Sequence, residues 1–182
     1  MIRFLSVVSA FVAFAFPSAT SAAPSVQLKA GETITLSIAG DGVTVVERAP
    51  AQGLSLFEAE ALKQMQAQSQ TIPEGTGVVP PMPLETVSRP KELTPATIRM
   101  TLRMVPGDQR EARHAMLTIE NGYGRMLAYR AVMEANGRAA HTDVCDVLAG
   151  KPGFEHWPYP FESLQLSDFE LVDRPPGVMN CR

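Results

Sequence analysis

Apolar and polar residues alternate one by one in the run TIRMTLRM, at residues 97–104. Its apolar positions are Ile98, Met100, Leu102 and Met104. Because successive side chains of a strand point to opposite faces of a sheet, this pattern predicts a strand with one buried face and one solvent-exposed face. Arg99 and Arg103 fall on the exposed face, and we interpret them, together with Arg130, as a solvated basic stripe.

Further strands are predicted after this run, separated by residues typical of turns. Their expected ranges are 114–121, 125–134, 140–148, 162–166 and 169–173. The residues predicted to face the core are Leu117, Ile119, Leu127 and Tyr129. Asn136-Gly137 is a strong hairpin signal, and Ser167-Asp168 separates the last two predicted strands.

Three short strands are predicted nearer the N-terminus, at residues 26–30, 33–38 and 43–46. Val26 and Leu28 share one face of the first strand, and Ile34, Leu36 and Ile38 share one face of the second. Gly31 lies in a turn between them. The sequence Gly-Asp-Gly at residues 40–42 predicts a tight hairpin turn before the third strand.

The middle of the chain breaks the alternation. Ser55 and Glu58 have the spacing of a capping box, which predicts a helix over residues 56–68. Prolines at 73, 80, 81, 83, 90 and 95 follow, and they predict an extended connector over residues 71–95. The helix either binds a partner or simply packs on the body of the protein, and packing is favoured.

Short alternating strands separated by turns favour a mainly β fold, an antiparallel immunoglobulin-like β-sandwich with one short helix and a Pro-rich connector. Residues 117–133, LTIENGYGRMLAYRAVM, resemble the strand–turn–strand of exported bacterial immunoglobulin-like domains. Residues 117–182 more broadly resemble uncharacterised exported proteobacterial proteins. This resemblance covers 66 of the 182 residues, implies a fold and carries no known active site. The predicted division is a signal peptide at 1–22, N-terminal strands at 23–50, a helix at 51–70, a connector at 71–95 and the sandwich body at 96–182.

The first residues have the three-part layout of a secretory signal peptide. Arg3 precedes a mainly apolar run at residues 4–16, and small residues at 17–22 predict cleavage after Ala22. The apolar run is shorter than the roughly 20 residues that cross a bilayer, so an uncleaved anchor is disfavoured. We therefore expect an exported protein, most simply a periplasmic one, without a stable membrane span after cleavage.

Export changes the interpretation of Cys145 and Cys181, the two cysteines of the chain. Disulfides persist in oxidising compartments, and this pair lacks the CxxC spacing of a redox or zinc motif. We predict a structural disulfide between them, which fixes the C-terminal tail. The alternative is a catalytic thiol at Cys145 with His141 nearby.

The segment GFEHWPYPFESL, residues 153–164, contains the one tryptophan of the chain. Pro158 and Pro160 lack a backbone N–H, so the segment is predicted to be an edge strand. Trp157, Tyr159 and Phe161 would then share one face. They would form either the lid of a core, which is favoured, or a sugar-stacking platform.

Candidate chemistry is sparse, and no cofactor is predicted. The candidate binding residues are Glu155, His156, Trp157 and Tyr159, and the weak candidate metal ligands are His141, Asp143 and His156. Nine methionines also permit copper(I), although methionine on an apolar strand face is usually packing. Glu155 and Glu162 are a conceivable glycosidase pair, but their odd separation places them on opposite faces of an extended segment, where they would not cooperate.

Net charge and composition narrow the class of function. Hydrophobic residues make up 45% of the chain and charged residues 19%, which is typical of a globular protein. The net charge of −3 argues against a nucleic-acid partner, since such proteins present basic surfaces. The sequence favours a non-enzymatic exported protein that binds or supports an unknown envelope protein or ligand. The alternatives are a periplasmic metal or carbohydrate binder at His156 and Trp157, and an unrecognised hydrolase.

Overall fold

The structure, a computed structural model, describes residues 25–40, 42–69, 93–106, 113–175 and 178–182. The predicted signal peptide and most of the Pro-rich connector lie outside these residues. Within them the chain forms one helix, α1, and strands β1 to β9. Their bounds are β1 Val26–Lys29, β2 Glu32–Ala39, β3 Gly42–Pro50, α1 Leu56–Ser69, β4 Ile98–Pro106, β5 Arg113–Asn121, β6 Met126–Ala135, β7 Arg138–Thr142, β8 Pro152–Trp157 and β9 Ser163–Val172.

The strands form two antiparallel sheets, which confirms the prediction of a mainly β, antiparallel sandwich with one short helix. Sheet A has the order β1-β9-β6-β7, and sheet B has the order β3-β2-β4-β5-β8. Alternate residues of both sheets fill a shared core, as in other face-to-face sandwiches. Its fully buried residues include Leu28, Ile34, Leu36, Ile98, Met100, Leu102, Leu117, Ile119, Leu127, Leu164 and Leu166. The immunoglobulin-like assignment stays a prediction.

The N-terminal strands are members of both sheets, although the sequence-based division set them apart from a body at 96–182. β1 pairs with β9 in sheet A, whereas β2 pairs with β3 and β4 in sheet B. The chain passes from one sheet to the other at Gly31, whose φ of 83° suits a residue without a side chain. The sandwich therefore begins at Val26.

Helix α1 begins where the sequence predicts. The Ser55 Oγ accepts a hydrogen bond from the Glu58 N–H at 3.1 Å, and the Glu58 carboxylate accepts one from the Ser55 N–H at 2.7 Å. These reciprocal bonds are a capping box. Phe57, Glu58 and Ala61 are buried, so the start of α1 packs on the body.

The outer face of β4 differs from the prediction of a solvated stripe. Thr101 is buried, and the Arg103 side chain is 15% exposed, because Glu58 of α1 lies against this face. Arg99 and Arg130 are half-exposed, as expected. Alternation predicted which residues point away from the sandwich core, but a helix covers part of that face.

Two predicted strand boundaries are wrong. The expected strand at 140–148 ends at Thr142. After it, Cys145 and Val147 form isolated backbone bridges with Cys181 and with Leu127 of β6, before the chain enters β8. The two expected strands around Ser167-Asp168 form one strand, β9. Asp168 has a φ of 52° beside an irregularity in the β6–β9 register, so these residues bend the strand without ending it.

The segment around Trp157 is also only partly as predicted. β8 is an edge strand, but it ends at Trp157, so Tyr159 and Phe161 are not part of it. Trp157 and Phe161 are buried with ring centroids 5.2 Å apart, which supports the core interpretation. Tyr159 is 46% exposed. The three aromatics therefore do not share one strand face.

Candidate functional site

The two faces of β8 separate the residues that the sequence grouped as one binding site. Glu155 and Trp157 are aligned with Leu117 and Ala115, two core residues of β5, so both point between the sheets. His156 points to the opposite face, towards the layer of α1. Tyr159 lies in the turn after β8. The four candidate binding residues therefore do not form one site.

Glu155 occupies a partly enclosed position at the edge of the sandwich. Its Oε1 accepts a hydrogen bond from the Cys145 N–H at 2.7 Å. Burial raises the pKa of Glu155 to about 7, and the Cys145 N–H offsets only part of this effect. Glu162, the other carboxylate of the glycosidase hypothesis, instead accepts a hydrogen bond from the Asn136 N–H at 3.1 Å. The two carboxylates thus have separate structural roles.

Tyr129 of β6 lies in the same interior as Glu155, and its side chain is almost completely buried. Its Oη has no hydrogen-bond partner among the described residues. Burial raises the pKa of Tyr129, and the charge of Glu155 adds to this effect. Two poorly satisfied polar groups therefore lie between the sheets. Sequence alternation identified Tyr129 only as a core residue.

The predicted disulfide is present, with the Sγ atoms of Cys145 and Cys181 1.97 Å apart. Backbone hydrogen bonds in both directions between Val144 and Arg182 support the same contact. The buried carboxylate of Asp146 accepts a hydrogen bond from Arg174 Nε at 2.6 Å and one from the Asn180 N–H at 3.2 Å. The segment after β7 thus fixes the C-terminal residues and also covers Glu155.

On the outer face of sheet B, His156 of β8 contacts His114 of β5. The distance between His114 Nδ1 and His156 Nε2 is 2.9 Å, and the ring centroids are 4.9 Å apart. Met116 is aligned with His156, which makes His114 its diagonal neighbour on the same face. No local sequence pattern links His114 to His156, because 42 positions separate them and only the strand register brings them together.

The other weak metal candidates lie elsewhere. His141 is exposed on β7 of sheet A, and Asp143 follows the end of that strand. Over the described ranges, no three histidine, cysteine, aspartate or glutamate side chains form a group that could hold a metal ion. His141, Asp143 and His156 are therefore not brought together.

A second polar cluster lies between α1 and sheet B. Arg103 Nε donates to Glu58 Oε1 at 2.7 Å, and Thr118 Oγ1 donates to the same oxygen at 3.2 Å. Burial alone would raise the pKa of Glu58. Hydrogen bonds from Arg103 and the Ser55 N–H, with the charge of Arg103, bring it below its ordinary value. This cluster fastens the helix to the sheet.

Two surface features complete the candidate sites. An open depression of about 520 Å³ lies beside α1. Its lining residues are Ala30, Gly31, Ala51, Leu54, Leu62, Arg103, Met104, Val105, Pro106 and Arg113. The other feature is the outer edge of β3, where Val45 is 39% exposed and Val46 is 61% exposed.

Comparison with protein-family models, with curated proteins and with solved structures gives no match. In the part of the chain that the structure describes, no helix has the length and apolar character needed to cross a membrane. The geometry of the chain itself is therefore the basis for a functional proposal.

Proposed function

We propose that this protein is an exported, periplasmic, non-enzymatic β-sandwich protein that binds another component of the cell envelope. The Cys145–Cys181 disulfide supports the compartment, since such bonds persist in oxidising environments. The signal-peptide pattern at residues 1–22 supports export across the inner membrane. The binding role rests on one observation: the outer edge of β3 pairs with no further strand among the described residues.

β3 is the longest of the four edge strands. It has 9 residues, whereas β1, β7 and β8 have 4, 5 and 6. A free strand edge presents unpaired backbone groups, to which an extended segment of a partner can add as a further strand.

The two halves of β3 differ in how well they are protected from such pairing. Glu47, Arg48 and Pro50 protect the second half, as charges and proline do at other sheet edges. A register irregularity opposite the Thr35–Leu36 step leaves Val46 as an extra residue between the halves. The first half, residues 42–45, carries neither charge nor proline. We assign the partner strand to this half.

Site-specific photo-cross-linking in intact cells tests this assignment. A cross-linking residue at exposed Thr44 of β3 is expected to give a discrete adduct with an envelope protein. The matched control is exposed Ala140 on β7, the edge of the other sheet, which is expected to give none. The same adducts from both positions, or none from Thr44, would show that β3 is not the docking edge.

Export is tested separately on the protein recovered from the cell envelope. Mass spectrometry is expected to show Ala23 at the N-terminus, and alkylation without reductant is expected to label neither cysteine. An intact Met1 together with two alkylated cysteines would contradict the periplasmic location.

A further inference from the structure

We propose that an extended segment of a partner protein docks beside the end of β4, where it adds to sheet B as a further strand and places a carboxylate at Arg113. The site is the open depression beside α1, between residues 103–106 of β4 on one side and Ala51 and Leu54 on the other. We call it the β4 slot.

The β4 slot is separate from the partner site proposed on β3. Residues 42–45 of β3 are aligned with residues 36–39 of β2, and Leu36 is opposite Ile98, the first residue of β4. The slot lies at the other end of β4, around Pro106. Docking in the slot therefore does not depend on a partner at β3.

The slot exists because β4 extends further than the strand beside it. β2 begins at Glu32, opposite Leu102, and the chain before it crosses from sheet A at Gly31. β4 continues along β5 as far as Pro106. Residues 103–106 therefore pair with β5 on one side and, within the described ranges, with no strand on the other side.

Met104 directs backbone hydrogen-bonding groups into this gap. The Leu102 carbonyl points to the β2 side of β4, since it accepts a hydrogen bond from the Gly31 N–H at 2.8 Å. Residues two apart in an antiparallel strand direct their backbone groups to the same side. The Met104 N–H and C=O therefore point into the slot, where the described residues give them no backbone partner. An extended segment supplies both partners when it adds as a strand.

The lining of the slot indicates an apolar side chain on the docked segment. Ala51, Leu54 and Leu62 line it together with Met104. Leu54 is 48% exposed, so an apolar side chain placed against it removes apolar surface from water.

The charges of the slot indicate an acidic group on the segment. Both charged residues that line it are arginines. Arg103 is paired with Glu58, whereas Arg113 is exposed and has no ion pair among the described residues. A carboxylate next to the apolar side chain complements the free charge of Arg113.

The open shape of the slot favours a chain segment over a small molecule. Small-molecule sites enclose most of the surface of their ligand. The slot has a volume of about 520 Å³ but is open to solvent. A strand needs one free edge to pair with, which the end of β4 provides.

Selection of random short peptides displayed on phage, with the disulfide-bonded protein as target, tests the proposal. The enriched sequences are expected to contain aspartate or glutamate, to have apolar residues at alternate positions and to lack central prolines. Failure to enrich such sequences would overturn the proposal. Binding of laurate in place of any peptide would do the same, because it would assign the slot to an acyl chain.

Pairing with the main chain is tested on a synthetic copy of an enriched peptide. N-methylation of every second amide removes the donors on one edge of the peptide and keeps its side chains. Methylation of the edge that faces β4 is expected to weaken binding by more than about tenfold, and methylation of the other amides much less. Equal affinities of the two methylated copies would exclude strand addition.

Two variants of β4 place the peptide at the slot. Met104→Pro removes the N–H that faces the slot, and edge positions of a sheet tolerate proline. It is expected to bind the peptide as weakly as the unmodified protein binds the methylated copy. A protein that is dimeric, and that Met104→Pro makes monomeric, would instead assign the slot to a second copy of the chain and overturn the proposal.

The carboxylate is placed by a double-mutant cycle. Arg113→Gln is expected to weaken peptide binding about two- to fivefold at low ionic strength, as is replacement of the acidic residue of the peptide by its amide. The two changes together are expected to cost no more than either alone. Arg99→Gln, near the start of β4, is the matched control and is expected to bind the peptide as the unmodified protein does. Additive losses, or an equal loss in Arg99→Gln, would show that the carboxylate does not lie at Arg113.

Discussion

The molecule has two interior layers, one between α1 and sheet B and one between the two sheets, and each contains a glutamate. Glu58, in the first layer, has a cation, a backbone N–H and a hydroxyl as hydrogen-bond donors. Glu155, in the second layer, accepts a hydrogen bond from the Cys145 N–H, its one donor among the described residues. Burial acts in the same direction on both, yet the pKa of Glu58 is lowered and that of Glu155 is raised to about 7.

This difference shows that burial alone does not determine the state of an interior carboxyl group. A charged carboxylate inside a protein is stable only when enough donors replace the water that it has lost. Arg103 supplies most of that replacement at Glu58. At Glu155 the donors are too few, and the neutral form is favoured up to about pH 7.

The largest expected effect comes from removing the cation at Glu58. Arg103→Met is expected to lower the free energy of unfolding by about 3–5 kcal/mol, because it leaves a buried carboxylate without its partner. Urea unfolding near pH 7 measures the change. Arg99→Met on the same strand is the matched control. The Arg99 side chain is half-exposed with a 3.7 Å ion pair to Glu120, so its loss is expected to cost less than about 1 kcal/mol. Equal losses in both variants would contradict the comparison.

Glu155→Gln is expected to raise the free energy of unfolding, by an amount that depends on pH. A carboxyl whose folded-state pKa is raised binds more protons in the folded state, so stability falls as pH rises from 4.5 to about 7 and then levels off. The difference between these pKa values corresponds to about 3 kcal/mol. The variant should therefore be more stable than the unmodified protein by up to about 3 kcal/mol at pH 8, and nearly equal to it at pH 4.

Urea unfolding at both pH values measures this effect, with Glu162→Gln as the control on an exposed carboxylate. An advantage of Glu155→Gln that is the same at pH 4 and pH 8 would show that folding does not raise the pKa of Glu155. For Glu58 the sign is reversed. At pH values above 4.5, the ordinary pKa of a glutamate, the lowered pKa of Glu58 contributes to the free energy of unfolding. That contribution is lost as the pH falls through the folded-state pKa.

The smallest expected change in stability comes from removing a tyrosine hydroxyl, at Tyr129 or at Tyr123. Tyr129→Phe is expected to stabilise the protein by about 1 kcal/mol, because it removes a buried hydroxyl without a partner among the described residues. Tyr123→Phe is expected to destabilise it by about 1 kcal/mol. The Tyr123 Oη accepts a hydrogen bond from the Ile38 N–H at 2.7 Å and donates one to the Ile38 carbonyl at 3.2 Å. Thermal unfolding measures the stability of both variants. Shifts of the melting temperature with the same sign in both would disprove the distinction between the two hydroxyls.

Local sequence patterns predicted the parts of the fold that depend on neighbouring residues. The capping box at Ser55 and Glu58 identified the start of α1, and alternation identified Ile98, Met100 and Leu102 as core residues. The same patterns failed where a distant segment decides the outcome. Alternation predicts a solvated Arg103, but Glu58, 45 positions away in the chain, covers it.

The candidate sites depend on such distant contacts. The pairing of His114 with His156 follows from the register of β5 and β8, which no local pattern contains. The position of Glu155 depends on the segment after β7, where Cys145 approaches it. The disulfide could be predicted because the chain begins with a signal-peptide pattern and its two cysteines leave a single intramolecular pairing.

The pairing of β1 with β9 has a consequence for the order of folding. The first and last strands are neighbours in sheet A, and Gln27 hydrogen-bonds Ser163, 136 positions further along the chain. Sheet A therefore cannot be completed on the ribosome before the chain has been made as far as β9. Contacts at such sequence separation slow folding, because the entropy of closing the long loop is lost before the contact forms. A chain truncated before β9 would leave Val26 and Leu28 without the strand that covers them, and would expose an incomplete sheet edge prone to aggregation.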